Sequence, residues 1–455
     1  MGEKRTIGAR HVALRVLCAI ETRGAYVHIA LDRELQRSSL DRRDRRLATE
    51  LVYGTLRRRF TLDWVLTQFS RYALQKMSVP LRNNLRMALY QMMFLDSIPP
   101  AVACNEAVEL AKISGHKGTV SLVNGILRAV LREPDRADYV AAAKKLKKEE
   151  AISLLHSHPL WLVKTWIEQL GFDKTEKLCA ANNLSPSTHI RTNTLKTTQK
   201  DLFRGLESQG FSVSKGLLAP EAIRVSDSSG IADSSIFEAG HFAFQDEAAM
   251  LVAHAVSPQG RGLVYDLCAG LGGKTLHLAA LMENAGQIIA FDIHPGKLKV
   301  VTSTARRLGA TNVKTAQADI AHLSEEYFGK ADGVLLDAPC SGWGVVRRKP
   351  DIRWRISEEE VGSLVRLQRQ LLKNAYRCLA PGGRLVYSTC TINRAENEDN
   401  VLWVQANHPD LRLIQANEWL PKQVPPGYEH TQGLQLLPHQ YGTDGFFIAV
   451  LERSS

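Results

Sequence analysis

The stretch Leu263-Val-Tyr-Asp-Leu-Cys-Ala-Gly-Leu-Gly-Gly-Lys-Thr275 decides how the chain is read. Leu263–Leu267 is a short apolar run of the kind that forms a buried strand, and it breaks directly into Gly270, Gly272 and Gly273 before a helical stretch. Glycines there permit a tight turn and let a ligand approach the backbone, while the helix N-terminus offers free N–H groups. Further strand candidates follow at Gln287–Phe291, Val313–Gln317, Gly333–Asp337 and Arg384–Thr389, with a last one at Phe446–Leu451. Helical stretches follow the first four, from Leu263–Leu267 to Gly333–Asp337, the Arg384–Thr389 run leads into a loop, and Phe446–Leu451 comes after the helix following Glu396. The alternation predicts an α/β fold, Rossmann-like, with a doubly wound, mostly parallel sheet. Asp292 ends the second strand, 20 residues after Gly272, where a carboxylate is placed to accept hydrogen bonds from ribose hydroxyls. A nucleoside-bearing cofactor is implied, and a nicotinamide dinucleotide would use a similar arrangement. The loop is not a phosphate-binding Walker loop, because Cys268 stands where that spacing needs glycine.

Upstream of this region the texture is helical. Ala13, Val16, Leu17 and Ile20 recur at helical spacing, as do Leu81, Leu85, Ala88, Leu89 and Met92, and Val123, Ile126, Leu127, Val130 and Leu131. Pro80, Pro99-Pro100 and Gly115/Gly118 punctuate the pattern. The periodicity predicts an all-helical domain over residues 1–145, with the charged run Lys144–Glu150 in a connecting helix. Residues 146–245 read as a small α+β subdomain, with a helix at Leu160–Leu170, strands at Thr188–Thr192 and Ala222–Val225, and a Ser/Asp/Gly loop at Ser226–Ser235. Residues 246–455 form the α/β domain.

At 455 residues, 44% hydrophobic and 23% charged, the chain has an ordinary soluble composition, room for about three domains, and no long apolar run for a membrane span. The opening Met1-Gly-Glu-Lys-Arg lacks the apolar stretch of a secretory signal, so a cytoplasmic protein is expected. The net charge of +11 is confined to the first third. Residues 1–150 hold 27 Lys and Arg against 16 Asp and Glu, while the remainder balances at 31 and 31. Such asymmetry fits contact with a phosphate backbone, and equally fits a solvated arginine-rich helical surface. The seven cysteines are widely spaced with no C-x-x-C, so neither a metal site nor a disulfide framework is expected.

Two further motifs fall at strand ends on the sheet edge where ligands of such folds sit. Asp337-Ala-Pro-Cys-Ser-Gly-Trp-Gly344 follows the fourth strand, and Tyr387-Ser-Thr-Cys-Thr391 closes the fifth, placing Cys340 and Cys390 at the same sheet edge. A lone cysteine there is usually a small buried residue; two beside a cofactor turn point to chemistry. The first motif runs on into Arg347, Arg348, Lys349, Arg353 and Arg355 around Trp354, suited to phosphate contact and base stacking or to a solvated charge run. A cytosine ring is too electron-poor at carbon 5 to attack a methyl donor unaided. A thiolate added to carbon 6 makes carbon 5 nucleophilic, an acid such as Asp337, if held protonated by burial, can donate to the ring nitrogen, and a base must then release the product. Two thiols and one carboxylate meet that requirement.

These segments, with Glu396-Asn-Glu398, Gln245-Asp-Glu and Asp444-Gly-Phe-Phe447, resemble the motifs of the RNA cytosine-5 methyltransferases. The front segment, with Asn105-Glu-Ala-Val-Glu-Leu-Ala-Lys112 and Val123-Asn-Gly-Ile-Leu-Arg128, is similar to NusB-like RNA-binding domains. The combination, over essentially the whole chain, resembles the small-subunit (16S) ribosomal RNA methyltransferases of the RsmB/Sun (Fmu) type. The resemblance implies that Cys390 adds to carbon 6 and that Cys340 assists release of the methylated product. It places S-adenosyl-L-methionine on Cys268, Ala269, Gly270, Leu271, Gly272, Gly273 and Lys274, with Asp292 at its ribose, Asp319 at its adenine, and Asp337 near the methyl donor and target base. Ribosomal RNA is the implied partner, with neither membrane nor metal; transfer RNA as substrate, or a non-catalytic RNA-binding assembly factor, are the alternatives. One departure stands out. The family's Cys-Ala-Ala-Pro-Gly-Gly-Lys-Thr reads Gly270-Leu271 at its third and fourth positions here, which would loosen the turn and add bulk beside the cofactor.

Overall fold

The structure, a computed structural model, describes residues 8–114, 117–257, 262–425, 429–430 and 432–455. Gly115, one of the expected helix breaks, lies outside the described residues. Two compact units are present. One holds the chain up to Leu184 together with Arg348–Arg355; the other holds Ser185–Arg347 and Ile356–Ser455. No helix among the described residues is long and apolar enough to cross a membrane.

The first unit is helical, as the periodicity predicts. Its main helices are Ala9–Arg23, Val27–Gln36, Arg42–Arg57, Arg59–Phe69, Val79–Phe94, Pro100–Ser114 and Lys117–Arg132. Their apolar stripes meet in one core that includes Val16, Leu17, Leu51, Leu62, Leu85, Leu89, Val123 and Leu127. Leu131, expected on that stripe, is instead exposed. The expected boundary near residue 145 is passed without a break, because the helices Lys148–His156, Leu160–Leu170 and Phe172–Ala181 also belong to this unit. Side-chain hydrogen bonds tie them in. Thr61 Oγ1 donates to Leu154 O at 2.7 Å, and Ser157 Oγ accepts from Phe60 N at 2.9 Å. The charged run is only half helical, the helix beginning at Lys148.

The segment Arg348–Arg355 corrects one expectation. The basic residues around Trp354 do not form a solvent-facing patch; most are consumed by packing. Arg353 is 1% exposed, and its guanidinium donates to Ser157 O at 3.0 Å, Asn183 Oδ1 at 3.1 Å and Asn182 O at 3.2 Å. Trp354 Nε1 donates to Leu56 O at 3.0 Å. Arg355 is held by Asp351 at 2.8 Å and by the carbonyls of Gly24 and Ala25. Arg347, in the other unit, is buried and donates to the carbonyls of Gly442 and Thr443. Arg348 is half-buried, which leaves Lys349 as the exposed cation of the five. A buried guanidinium bonded to carbonyls offers no free donors to a phosphate. Burial pulls the Arg353 guanidinium down to about 9, so the site tolerates the charge only through those acceptors. Arg353→Ala is expected to destabilise the protein by about 3 kcal/mol, because each orphaned buried acceptor costs about 1 kcal/mol or more. Chemical denaturation measures it. A variant of unchanged stability but flatter salt dependence of RNA binding would restore the phosphate-contact reading.

The second unit begins with a small antiparallel sheet, made of β1 (Thr188–Thr192), β2 (Val213–Lys215), β3 (Ala222–Val225) and β4 (Phe242–Phe244) in the order β2-β3-β1-β4. Ile190, Ile223, Val225 and Phe242 pack with Leu202 and Leu206 of the helix Gln199–Ser208. β2 and β4, three residues each, were too short to stand out as periodic runs.

The large sheet contains β5 (Leu263–Asp266), β6 (Gln287–Asp292), β7 (Val313–Gln317), β8 (Ala331–Asp337), β9 (Leu379–Thr389), β10 (Leu411–Ile414), β11 (Glu429–His430), β12 (Leu434–Leu436) and β13 (Phe446–Arg453). Its order is β11-β12-β13-β9-β8-β5-β6-β7, with β10 beside β13. β5 to β9 are mutually parallel and β13 runs antiparallel to β9. The fold is therefore a doubly wound, Rossmann-like domain preceded in the chain by an all-helical one. Side chains alternate between two cores as the strand period of two requires: Leu335 and Val386 face one, while Val334, Leu336, Leu385 and Tyr387 face the other. The strand order reverses between β5 and β8, so their carboxyl ends diverge at the point where doubly wound sheets bind ligands. Asp266 and Asp337 end those two strands.

Candidate active site

The turn after β5 has the geometry its glycines permit. Gly270 and Gly272 have φ of +57° and +85°, conformations that side-chain-bearing residues rarely adopt. Gly272 N closes the turn on Ala269 O at 2.9 Å, and the helix Gly273–Leu281 starts there. An added Cβ on Gly270 or Gly273 would meet no atom within 4 Å, so the backbone is bare on that side. Leu271 is 63% exposed, so its bulk is not accommodated inside the protein, and the turn closes without the proline. Asp292, buried at the end of β6, accepts from Gly270 N at 3.1 Å and His294 N at 2.8 Å, which fixes its carboxylate beside the turn. Asp319 follows β7. It is about half-exposed and accepts from Ala321 N and His322 Nδ1, both at 3.0 Å; the His322 contact, mainly, holds its carboxyl below the usual range. Cys268 is half-buried, and burial, with the nearby carboxylates adding, pushes its thiol up; it is a neutral wall of the turn.

Lys274 crosses from the turn to β8. Its ammonium lies 2.7 Å from Asp337 Oδ2 and 4.9 Å above the Phe446 ring. Burial alone would lower its pKa, but the Asp337 charge and hydrogen bond outweigh that and the net shift is upward, so Lys274 stays charged. Asp337 Oδ1 accepts from Ser388 Oγ at 2.8 Å. Its side chain is 28% exposed and faces a cation, so it lacks the burial the sequence leads one to expect.

The buried carboxyl is Asp266. Burial pushes it up to about 7 despite the hydrogen bond it accepts from Thr275 Oγ1 at 2.6 Å, and the charge of Asp337 adds to the rise. Folded Asp266 holds its proton between about pH 4 and 7 while the unfolded chain releases it. Stability from this group is therefore highest below about pH 4 and is lost as pH rises to about 7. Asp266→Asn, which keeps an acceptor for Thr275, is expected to remove that slope and raise stability above pH 7. Urea denaturation against pH checks it, and an unchanged slope would refute the assignment.

Cys340 and Cys390 meet. Their sulfurs are 3.5 Å apart, both half-buried, on the loops after β8 and β9. The hydrogen bond to Cys390, together with burial, drives the Cys340 thiol well upward, so it remains protonated. Both loops are held by Glu396, which is fully buried. Its carboxylate accepts from Ser341 N at 2.8 Å, Ser341 Oγ at 2.5 Å, Gln368 Nε2 at 3.0 Å and Asn393 Nδ2 at 3.1 Å, with Thr391 Oγ1 at 3.4 Å. A second clamp is backbone on backbone. Gly344 N donates to Cys390 O at 3.0 Å and Gly445 N to Gly344 O at 2.9 Å, and a Cβ on Gly344 would stand 2.0 Å from Gly445 O. This explains the glycine in Asp444-Gly-Phe-Phe447: it brings the end of the chain against the cysteine loops.

The structure thus gathers the turn at 268–274, Asp292, Asp337, Cys340 and Cys390 at one sheet edge. Arg347, Arg353 and Arg355 do not present free cations to it. Residues passed over as site members are Ser341, Gln368, Ser388 and Thr391. Gln368 carried one sequence signal, as a polar residue on the buried face of the helix Glu358–Cys378.

A family model described as 16S rRNA methyltransferase RsmB/F matches residues 253–452, one described as NusB family matches residues 8–132, and a RsmF/B-like, ferredoxin-like domain matches residues 158–232. The chain is 38% identical over 448 residues to the probable ribosomal RNA small subunit methyltransferase B of Bacillus subtilis (strain 168), covering 98% of each. It is 37% identical over 452 residues to the protein of the same description from Synechocystis sp., covering 98% of this chain and 100% of that one. Among solved structures, the crystal structure of PH0851 matches 99% of this chain and 100% of its own, with TM-score 0.80 and 27% identity. A methyltransferase homolog from Pyrococcus horikoshii matches 68% of this chain and 99% of its own, with TM-score 0.59 and 27% identity.

Proposed function

Because the chain belongs to the 16S rRNA methyltransferase RsmB/F family, we propose that it methylates carbon 5 of a cytidine in small-subunit ribosomal RNA through a covalent adduct with Cys390. The observation that carries this reading is the 3.5 Å contact between Cys340 and Cys390 beside a nucleoside-type turn.

The turn fits S-adenosyl-L-methionine. Cys268, Ala269, Gly270, Leu271, Gly272, Gly273 and Lys274 would hold it, with Asp292 at the ribose hydroxyls and Asp319 at the adenine. The bare backbone at Gly270 and Gly273 and the fixed Asp292 carboxylate supply the approach and the acceptor that such a ligand needs. When bound, it supplies an electrophilic methyl group. The residues of the chain do the rest. Of the two sulfurs, Cys340 keeps its proton and donates it toward Cys390, which favours negative charge on Cys390, the attacking atom. Cys390 adds to carbon 6 as its thiol proton is given up to Asp337, with the Lys274 ammonium 2.7 Å from that carboxylate, and Asp337 passes the proton to the ring nitrogen as charge develops there. After transfer, a base such as water takes the carbon 5 proton, the ring nitrogen returns its proton to Asp337, and Cys390 leaves as a thiolate, with the Cys340 thiol assisting release by its hydrogen bond to the departing sulfur. The basic excess of the first 150 residues would bind the RNA.

Incubation with labelled S-adenosyl-L-methionine and unmodified small-subunit rRNA, followed by bisulfite mapping, tests the proposal. Label confined to one cytidine of that RNA supports it. Label in transfer RNA instead would move the substrate, and no binding of the methyl donor by calorimetry would favour a non-catalytic assembly factor.

A further inference from the structure

Behind the active site, on the side away from the cysteines in sequence, three metal-ligating side chains converge that play no part in the proposed reaction. Glu221 immediately precedes β3 of the small sheet, His254 lies in the helix Glu247–Val256, and His277 lies in the helix that starts from the turn at 268–274. Their ligand atoms all lie within 4.8 Å of one another, the one such trio among the described residues. His254 Nε2 is 3.0 Å and His277 Nε2 2.6 Å from the same oxygen, Glu221 Oε1. His277 is buried, and despite the short approach neither of its ring nitrogens makes a hydrogen bond. His254 Nε2 also lies 3.1 Å from Glu221 Oε2, so two imidazoles converge on one carboxylate, a set of nitrogen and oxygen ligand atoms that suits a cation.

We propose that Glu221, His254 and His277 bind one divalent first-row transition-metal cation, with zinc the best match to two imidazoles and a carboxylate. Zinc bonds of about 2.0–2.1 Å set tetrahedral ligand atoms about 3.3 Å apart, so the observed 2.6 and 3.0 Å need to open by well under 1 Å. His254 is the partly exposed member, with 19% of its side chain accessible, and admits water as a fourth ligand. Arg191 limits the affinity. Its guanidinium is committed to Gln245 Oε1 and Gly273 O, both at 2.8 Å, but its charge opposes a second cation, so binding is weaker than at a thiolate site. The site would pin the small sheet and the helix Glu247–Val256 to the helix carrying the turn. Its role is structural, with no step of methyl transfer routed through it.

The test uses the full-length protein, stripped with chelator and titrated with cobalt(II) alone. The expected result is one equivalent bound, with the visible ligand-field bands of a four-coordinate nitrogen and oxygen site and no thiolate charge-transfer band. Zinc should displace the cobalt and raise the melting temperature. His254→Gln, a change at the accessible member that leaves the core intact, should weaken cobalt binding at least tenfold with an unchanged circular dichroism spectrum. The Cys340→Ala/Cys390→Ala double variant should bind cobalt as the parent does. Absence of stoichiometric binding, binding untouched by His254→Gln, or binding abolished by the double cysteine variant would each overturn the proposal. None of these readouts depends on methyl transfer, so they stand apart from the fate of the catalytic reading.

Discussion

Cys390→Ala is expected to lower methyl transfer by about 10⁴-fold or more while leaving the affinity for S-adenosyl-L-methionine within about twofold of the parent. The size follows from the chemistry. Without the adduct at carbon 6, carbon 5 has too little electron density to attack a methyl group, and the neighbouring Cys340 thiol is held protonated. The glycine turn at 268–274 owes its shape to its own backbone, with Gly270 and Gly272 at positive φ, and Cys390 acts on it through its field on Lys274. Cys340→Ala should behave differently. The attacking sulfur survives, but the group that assists release is gone, so a protein–RNA adduct should accumulate and migrate as a slow species on a denaturing gel. Normal turnover in Cys390→Ala would remove the nucleophile assignment; rapid release of free methylated RNA by Cys340→Ala would remove the division of roles between the two sulfurs.

Glu396→Gln is the second substitution expected to act strongly. Five donors converge on the Glu396 carboxylate from the loops after β8 and β9 and from the helix Glu358–Cys378. An amide replaces one acceptor oxygen with a donor, which then faces other donors. Loss of two charge-assisted bonds at about 1.5–3 kcal/mol each predicts a destabilisation of about 3–6 kcal/mol. The catalytic effect should exceed what stability explains. Ser341 adjoins Cys340 and Thr391 adjoins Cys390, so a shift of about 1 Å in either loop separates the sulfurs and should cost about 10²-fold in kcat. Cofactor affinity should hold. The rate of Cys390 alkylation by iodoacetamide gives a readout that a merely structural role would not move: it should fall, and its pH profile should shift to higher pH. A variant with the parent's alkylation rate and kcat would show that Glu396 does not position the pair.

The reading of the sequence succeeded where a local pattern carries the physics. Short apolar runs broken by glycine located the strands β5 to β9 to within a few residues, because a buried parallel strand must be apolar on both faces and must turn tightly at its end. Helical spacing located the core of the first unit for a similar reason. The paired cysteine motifs were legible because a strand's end fixes where the following residue lies. At the basic run 347–355 local composition resembles a nucleic-acid contact, although Arg353 and Arg355 donate to acceptors between residues 24 and 183 and Arg347 to the carbonyls of Gly442 and Thr443. The same reasoning placed a domain boundary near 145, where the composition changes but the packing continues to Leu184.

By itself, then, the sequence determined the elements, the alternation that makes a doubly wound sheet, the glycine turn with Asp292 at the next strand's end, and the presence of two cysteines on neighbouring strand ends. Those are short-range properties, set by side-chain periodicity and backbone freedom. The tertiary structure decided the rest: the 3.5 Å between the sulfurs, the Glu396 hub that holds their loops, the exposure of Asp337 beside Lys274, the burial of Arg353, and the meeting of Glu221, His254 and His277. Each depends on which distant segments share a volume. Burial and partner distance, which set the charge state and reach of a side chain, are properties of that shared volume and leave no mark on the residues nearby in sequence.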